Sequence, residues 1–204
     1  MPLQLDIQPS HVHSIESALV HLTSPEVIHG VTLPGGRGEG EASKRNELER
    51  TPRVLVLHLK RFGWDGSGMG KARKMGKAVG FGEELIVPRG QSTWNERDPT
   101  KSRLTPHLPS SFPDAIAATR RTPEPIKYKL FGVVYHHGPT VSSGHYTSAV
   151  LAQQSKTWLH VDDESVTTVD AKDVCVTEQA AKEGQAGEIG GREKCAYLLF
   201  YERV

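Results

Sequence analysis

The clearest order in the chain is its changing period of apolar residues. Leu3, Leu5 and Ile7 alternate with polar neighbours, the two-residue spacing of a strand with one buried face. Ser14 then precedes Ile15, Ala18, Leu19 and Leu22, the spacing of a short amphipathic helix that ends before Pro25. The strongest apolar signal is Val-Leu-Val-Leu-His-Leu-Lys-Arg-Phe, from Val54 to Phe62. Lying between Pro52 and Gly63, this aliphatic run predicts a central strand buried on both faces. His58 inside it is expected to be a hydrogen-bonded core histidine rather than a ligand.

The opening strand starts almost at Met1, with no cap or hairpin partner before it. Two readings fit: an N-terminal edge strand, or a strand whose upstream neighbours lie outside these residues. Residues 34–40, Pro-Gly-Gly-Arg-Gly-Glu-Gly, read as a flexible loop. Residues 66–82, rich in Gly, Lys and Met, predict a hairpin excursion leading to a strand at Leu85, Ile86 and Val87. The cluster Lys71, Arg73, Lys74 and Lys77 is expected to be a solvated loop face, with a binding patch as the alternative. From Pro88 to Pro125, Pro, Ser, Thr and charge dominate without any period, which reads as a long insertion or disordered loop. Order resumes with strands at Tyr128–His137, His145–Leu151, Trp158–Val161, Val166–Val169 and Ala196–Tyr201. Residues 138–144 and the turn Asp162–Ser165 connect the first of these, and 178–194 reads as a polar loop. This half predicts antiparallel hairpins.

Composition narrows the class. The chain has 204 residues, 36% of them hydrophobic, with 20 glycines and 13 prolines, so a folded core interrupted by sizeable loops is expected. Its 25 basic and 24 acidic side chains give a formal charge of +1, a balance that calls for neither nucleic acid nor an anionic membrane as partner. Two cysteines are too few for a disulfide framework. With no leader pattern and no run of membrane-spanning length, the expectation is a soluble protein of the cytosol or nucleus.

Candidate chemistry concentrates in the last third. His145 follows Ser142, Ser143 and Gly144, where a loop enters a strand. A histidine there can serve as a general base, since its ordinary pKa is about 6.5; on local pattern alone a structural role fits as well. Tyr146 and Val150 are apolar enough to wall off one side of such a site. Asp162 closes the strand that hairpins back against His145–Leu151, so its carboxylate is expected near His145, holding the ring nitrogen that faces away from the reaction. Asp163 points to the opposite face by alternation, or is swung inward by the turn. Cys175 and Cys195 lie in apolar contexts and neither begins a helix, so both are expected to be structural. Ser142 and Ser143 are too close in sequence to His145 to be attacked through it. A metal site from His136, His137 and His145 is disfavoured, because adjacent histidines on a strand face opposite ways.

Three segments together resemble the ubiquitin-specific protease family. Val54–Phe62 is similar to that family's Leu-x-Leu-His-Leu-Lys-Arg-Phe strand. Tyr128–Gly138 followed by Ser143-Gly-His-Tyr146 resembles its histidine box. Trp158-Leu-His-Val-Asp-Asp163, with Val166 and the closing Ala196–Tyr201, resembles the box carrying the third triad residue. The resemblance implies an α+β, papain-like cysteine protease fold, mainly the antiparallel β palm, and hydrolysis of the bond after the C-terminal glycine of ubiquitin. It implies His145 as general base, Asp162 as its partner with Asp163 close by, and Gly144 and Tyr146 as substrate-binding positions, Gly144 letting the ubiquitin tail pass. Ubiquitin and ubiquitinated proteins would be the partners, and no cofactor or metal is called for.

The family's cysteine box and the paired Cys-x-x-Cys motifs of its fingers are missing from this sequence. The expectation is therefore a partial catalytic domain over residues 1–204, without the thumb, with apolar surface exposed where the thumb would pack. The leading functional reading is a deubiquitinase fragment that keeps its histidine and aspartate and is inactive alone. A catalytically inactive ubiquitin-binding scaffold is the alternative, and a split enzyme completed by another chain is a third.

Overall fold

The computed structural model describes residues 1–32, 39–46, 48, 51–64, 72–87, 125–140 and 143–204. In chain order the elements are β1 (Leu3–Leu5), α1 (Ile15–Thr23), β2 (Glu26–Thr32), β3 (Glu39–Lys44), β4 (Val54–Leu59), β5 (Phe62–Trp64), β6 (Ala72–Lys74) and β7 (Glu84–Val87). Then follow β8 (Ile126–His137), β9 (His145–Ala152), β10 (Thr157–Asp162), β11 (Ser165–Val169), α2 (Ala171–Val174), α3 (Glu178–Lys182), β12 (Glu188–Ile189), β13 (Arg192–Glu193) and β14 (Ala196–Arg203).

Among the described residues, β1, β4, β14, β8, β9, β10 and β11 lie side by side in that order, and β7 joins β8 as an eighth strand. β8 is 12 residues long, enough to pair with β7 along its first half and β9 along its second. Its partners β14, β7 and β9 all run antiparallel to it, whereas β1 runs parallel to β4. Alternation explains why the sheet has one dry face. Leu55, Leu57 and Leu59 of β4, Leu199 and Tyr201 of β14, Val133 and Tyr135 of β8 and Ala149 of β9 are all buried. They form one cluster with Ile15, Ala18 and Leu19 of α1 and with Val79, Phe81, Val174 and Val176. Each fully buried leucine here contributes about 1.5–3 kcal/mol.

The buried tyrosine hydroxyls find partners, while one ring nitrogen each of His13, His136 and His160 is buried without one among the described residues. The hydroxyls of Tyr128, Tyr135 and Tyr201 donate to the carbonyls of Pro52, Val174 and Gly82 at 2.7, 3.0 and 2.7 Å. At the start of α1 the Ser14 hydroxyl accepts the Ser17 amide while the Ser17 hydroxyl accepts the Ser14 amide, a reciprocal cap built from two serines. Such caps are worth about 1 kcal/mol.

Several expectations are corrected. The run Val54–Phe62 is not one strand buried on both faces: β4 ends at Leu59, Val54 is exposed, and Val56 and His58 are half-buried. His58 packs edge-on against Tyr197 with ring centroids 4.7 Å apart, so it is a half-buried packing residue rather than a core one. Residues 178–194 are not a plain loop but hold α3 and the β12–β13 hairpin. A β2–β3 hairpin, absent from the sequence reading, flanks 33–38, where most of the expected 34–40 loop lies outside the described residues. The β5–β6 hairpin pairs 62–64 with 72–74, so it begins before the excursion expected at 66–82; 65–71 lie outside the described residues, as does the insertion at 88–124.

Of the basic cluster, Lys74 and Lys77 are not simply solvated. Lys74 Nζ donates to the carbonyls of His136 and Gly138 at 2.8 and 2.6 Å, and Lys77 Nζ to that of Pro9 at 2.6 Å. Lys71 and the Arg73 side chain lie outside the described residues.

The second face of the sheet is open. By register it carries Val54 and Val56, Leu198 and Phe200, Val134, Tyr146 and Val150, Leu159 and Val161, and Val166. Val54, Tyr146, Val150 and Val166 are exposed and most of the others half-buried, so this face presents apolar surface.

Candidate functional site

The site begins with a hairpin. Val161 of β10 pairs with Ser148 of β9, which brings Asp162 level with the first residues of β9. Residues of equal parity share a face, so His145 lies with Thr147 and Ala149, and Asp162 lies with Trp158 and His160 on the same side of the sheet. Nε2 of His145 is hydrogen-bonded to Oδ1 of Asp162. That bond commits one imidazole nitrogen and leaves Nδ1 as the one available to a reacting group. The two side chains are 33% and 24% exposed, open enough for a ligand to approach.

Two residues, Asp163 and Glu164, connect the paired Asp162 and Ser165. Asp163 adopts φ 50°, a left-handed conformation that aspartate tolerates better than most residues. The turn swings it inward, and its carboxylate, that of Asp162 and the His145 ring each place a ligand-capable atom within 4.8 Å of the others. Asp162 is already committed on both oxygens, because Arg192 Nη1 donates to Oδ2 at 2.7 Å. A cation at this cluster would compete with the Arg192 charge for Asp162. The hydrogen bond from His145 holds the Asp162 carboxyl below its ordinary pKa, and the Arg192 charge acts in the same direction.

Arg192 comes from the segment read as a loop. Gly190 and Gly191, at φ 57° and 72°, form the two-residue turn between β12 and β13. Positive φ at both positions is what such a turn needs. A Cβ on Gly190 would lie 2.4 Å from Cε1 of His160, so the hairpin packs its backbone directly on that ring. The Gly-Gly pair was the available signal for this hairpin and hence for Arg192.

His137 faces the same way as His145, their rings stacked 6.4 Å apart. Its Nδ1 meets the Glu193 carbonyl at 3.1 Å and its Nε2 the Thr147 hydroxyl at 2.8 Å. With both nitrogens taken, His137 has none left for a metal, and His136 points to the other face, against Tyr146. The three histidines therefore do not converge.

A cleft of about 910 Å³ opens beside His145, walled by His136, His137, Gly144, Arg192 and Cys195. Gly144 has a structural reason of its own, since a Cβ would lie 2.2 Å from His136 Nε2 and 2.6 Å from the His137 carbonyl oxygen. Tyr146 and Val150 do not wall His145. By alternation they sit on the open face, where the Tyr146 ring contacts His136 and Tyr197 at 4.8 and 6.0 Å. Ser143 is exposed and Ser142 lies outside the described residues.

Cys175 caps the C-terminal end of α2, and burial pushes its thiol up to about 11. That environment disfavours a thiolate. Cys195 is buried and unpaired by any disulfide. Neither heads a helix, as expected.

Sheet and helices together define an α+β chain of the papain-like fold. A chain of the yeast SAGA DUB module structure with a mutant Sgf73 superposes with a TM-score of 0.65 at 22% identity, covering 100% of this chain and 35% of that one. A chain of the SAGA DUB module bound to ubiquitin aldehyde gives 0.65 at 21% identity, covering 100% and 36%.

The family follows from sequence. The model of ubiquitin carboxyl-terminal hydrolase matches residues 7–201, and the chain belongs to that family. It is 34% identical over 202 residues to probable ubiquitin carboxyl-terminal hydrolase 3 of Schizosaccharomyces pombe, covering 99% of this chain and 34% of that protein. To ubiquitin carboxyl-terminal hydrolase 10-B of Xenopus laevis it is 34% identical, covering 99% and 20%. To ubiquitin hydrolase B of Dictyostelium discoideum it is 31% identical, covering 99% and 34%. The chain thus spans between 20% and 34% of the length of these curated relatives.

Proposed function

We propose that this chain supplies the general base and its carboxylate to a thiol-dependent hydrolase that cuts after the C-terminal glycine of ubiquitin. The nucleophilic cysteine comes from outside these 204 residues. The observation that carries the reading is the His145–Asp162 hydrogen bond, which ties up Nε2 and keeps Nδ1 for a thiol. His145 takes the thiol proton as the sulfur attacks the carbonyl carbon, and Asp162 stabilises the resulting imidazolium. His145 then gives that proton to the departing amine, leaving a thioester. In the second half it takes a proton from the water that attacks the thioester, releasing the ubiquitin carboxylate and regenerating the thiol.

The open apolar face supports the same reading as the surface that ubiquitin and the rest of the catalytic domain would cover. A catalytic thiol also suits the reducing cytosol or nucleus.

The test uses ubiquitin with a fluorogenic C-terminal leaving group. The chain alone is expected to release no fluorophore. Joined to the part of the Schizosaccharomyces pombe relative that this chain does not cover, it is expected to turn over, and His145→Ala in the joined protein to lower the rate by roughly a thousandfold or more. Equal turnover by the His145→Ala protein would refute the assignment. Tight ubiquitin binding without turnover by the joined protein would instead select the scaffold reading.

A further inference from the structure

Asp162 holds His145 through a single hydrogen bond. One bond leaves a carboxylate free to turn about its terminal torsion, whose preferences are broad. A second partner on the other oxygen removes that freedom, and Arg192 is placed there at 2.7 Å. We propose that Arg192 is a positioning residue, whose guanidinium holds Oδ2 of Asp162 so that Oδ1 stays aimed at Nε2 of His145. This deepens the hydrolase reading above and rests on it.

The hairpin that presents Arg192 is itself held in three ways. Gly190 packs on the His160 ring, the Glu193 carbonyl meets Nδ1 of His137, and the Lys194 amide donates to the Gly187 carbonyl at 2.8 Å. Arg192 is thus delivered by a braced turn. Its side chain is 43% exposed, so the ion pair adds little to global stability and its consequence lies in orientation. The ionisable groups facing the pair are His137 from β8, His160 from β10, Asp163 from the β10–β11 turn, Arg192 and Glu193 from β13, and Lys74 from β6.

The experiment is side-chain NMR on the full 204-residue chain without ubiquitin. The Asp162 carboxyl carbon is followed through an acid titration, and the imidazole nitrogens of His145 are followed near neutrality. In Arg192→Gln the Asp162 midpoint is expected to move upward, and the His145 Nε2–H signal to broaden through faster exchange with water. Arg192→Lys, which keeps a cationic donor, is expected to recover most of both. Lys182→Gln, which removes an ion pair with Glu178 on α3, should move neither.

An Arg192→Gln chain with the Asp162 midpoint and the His145 signal unchanged would overturn the proposal. Should Arg192→Gln fail to fold, the unaltered chain still offers a result that can overturn the proposal. Rising salt screens a half-exposed pair, so the Asp162 midpoint should climb between low and high ionic strength. A midpoint indifferent to salt would overturn the proposal equally. Neither readout involves turnover, so its failure leaves the hydrolase reading standing, and the failure of that reading leaves the NMR result standing.

Discussion

Replacing Arg61 should cost this chain more stability than any surface change, and the structure allows the size to be worked out. Arg61 is 1% exposed. Its Nε donates to the carbonyl of Ala196, at the head of β14, and its Nη1 to those of Met75 and Lys77 at 3.1 and 2.7 Å. One guanidinium therefore ties the closing strand to the segment after β6. Arg61→Met keeps the aliphatic stem and removes the donors, leaving three inward-facing carbonyls to find new partners. Hydrogen bonds to charged groups are worth about 1.5–3 kcal/mol each, net of solvation. Part of that is recovered as the freed carbonyls relax onto water or other donors. The balance is a loss of about 3–4 kcal/mol, a large share of the 5–15 kcal/mol typical of a domain. At a urea slope of about 2 kcal/mol/M the unfolding midpoint should fall by roughly 1.5–2 M. Arg61→Lys, whose compact ammonium cannot span all three carbonyls, should lose about half as much. The assay is urea unfolding followed by far-UV circular dichroism and by tryptophan fluorescence, to which the buried Trp158 contributes. A midpoint for Arg61→Met within about 0.3 M of the unaltered chain would show that these carbonyls do not need the guanidinium.

Two further outcomes are expected. Gly190→Ala and Gly191→Ala change neighbouring positions of one turn, and a left-handed alanine costs about 1–2 kcal/mol at each; only Gly190→Ala also drives a Cβ to 2.4 Å from His160. Gly190→Ala should therefore lower the urea midpoint clearly further than Gly191→Ala, and equal shifts would refute the packing argument. Because the folded-state pKa of Asp162 is depressed, the stability it contributes is fully present above the unfolded value of about 3.9 and is lost as pH falls through the folded value. Urea midpoints taken from pH 5 downward should fall less steeply in Asp162→Asn than in the unaltered chain.

Much of the fold was legible because the buried strands alternate at the sheet's own period. Leu55, Leu57 and Leu59 carry that signal, as does the i, i+3, i+4 stripe of α1. What misled was treating a long aliphatic run as proof of burial on both faces. Val54 and Val56 are aliphatic yet lie on the open side of the sheet, so hydrophobic identity did not report which face is covered. The lysines failed for the opposite reason. Lys74 and Lys77 read as solvated because they are charged, but their ammonium groups reach carbonyls at the end of β8 and before α1, contacts between segments far apart in sequence.

The site divides along the same line. His145 and Asp162 belong to one hairpin with a short connection, so strand parity and register alone bring their side chains together. The same parity carries Tyr146 and Val150 to the other face, a consequence that their apolar character obscured. Arg192 is separated from Asp162 by two helices and a Gly-Gly turn, and no period in the sequence links them. Its placement is decided by the packing of Gly190 on His160, a residue two positions before Asp162 on the same strand. The ring that supports the hairpin and the carboxylate that the hairpin grips thus share one face of β10. A change at His160 should therefore reach Asp162 through Arg192.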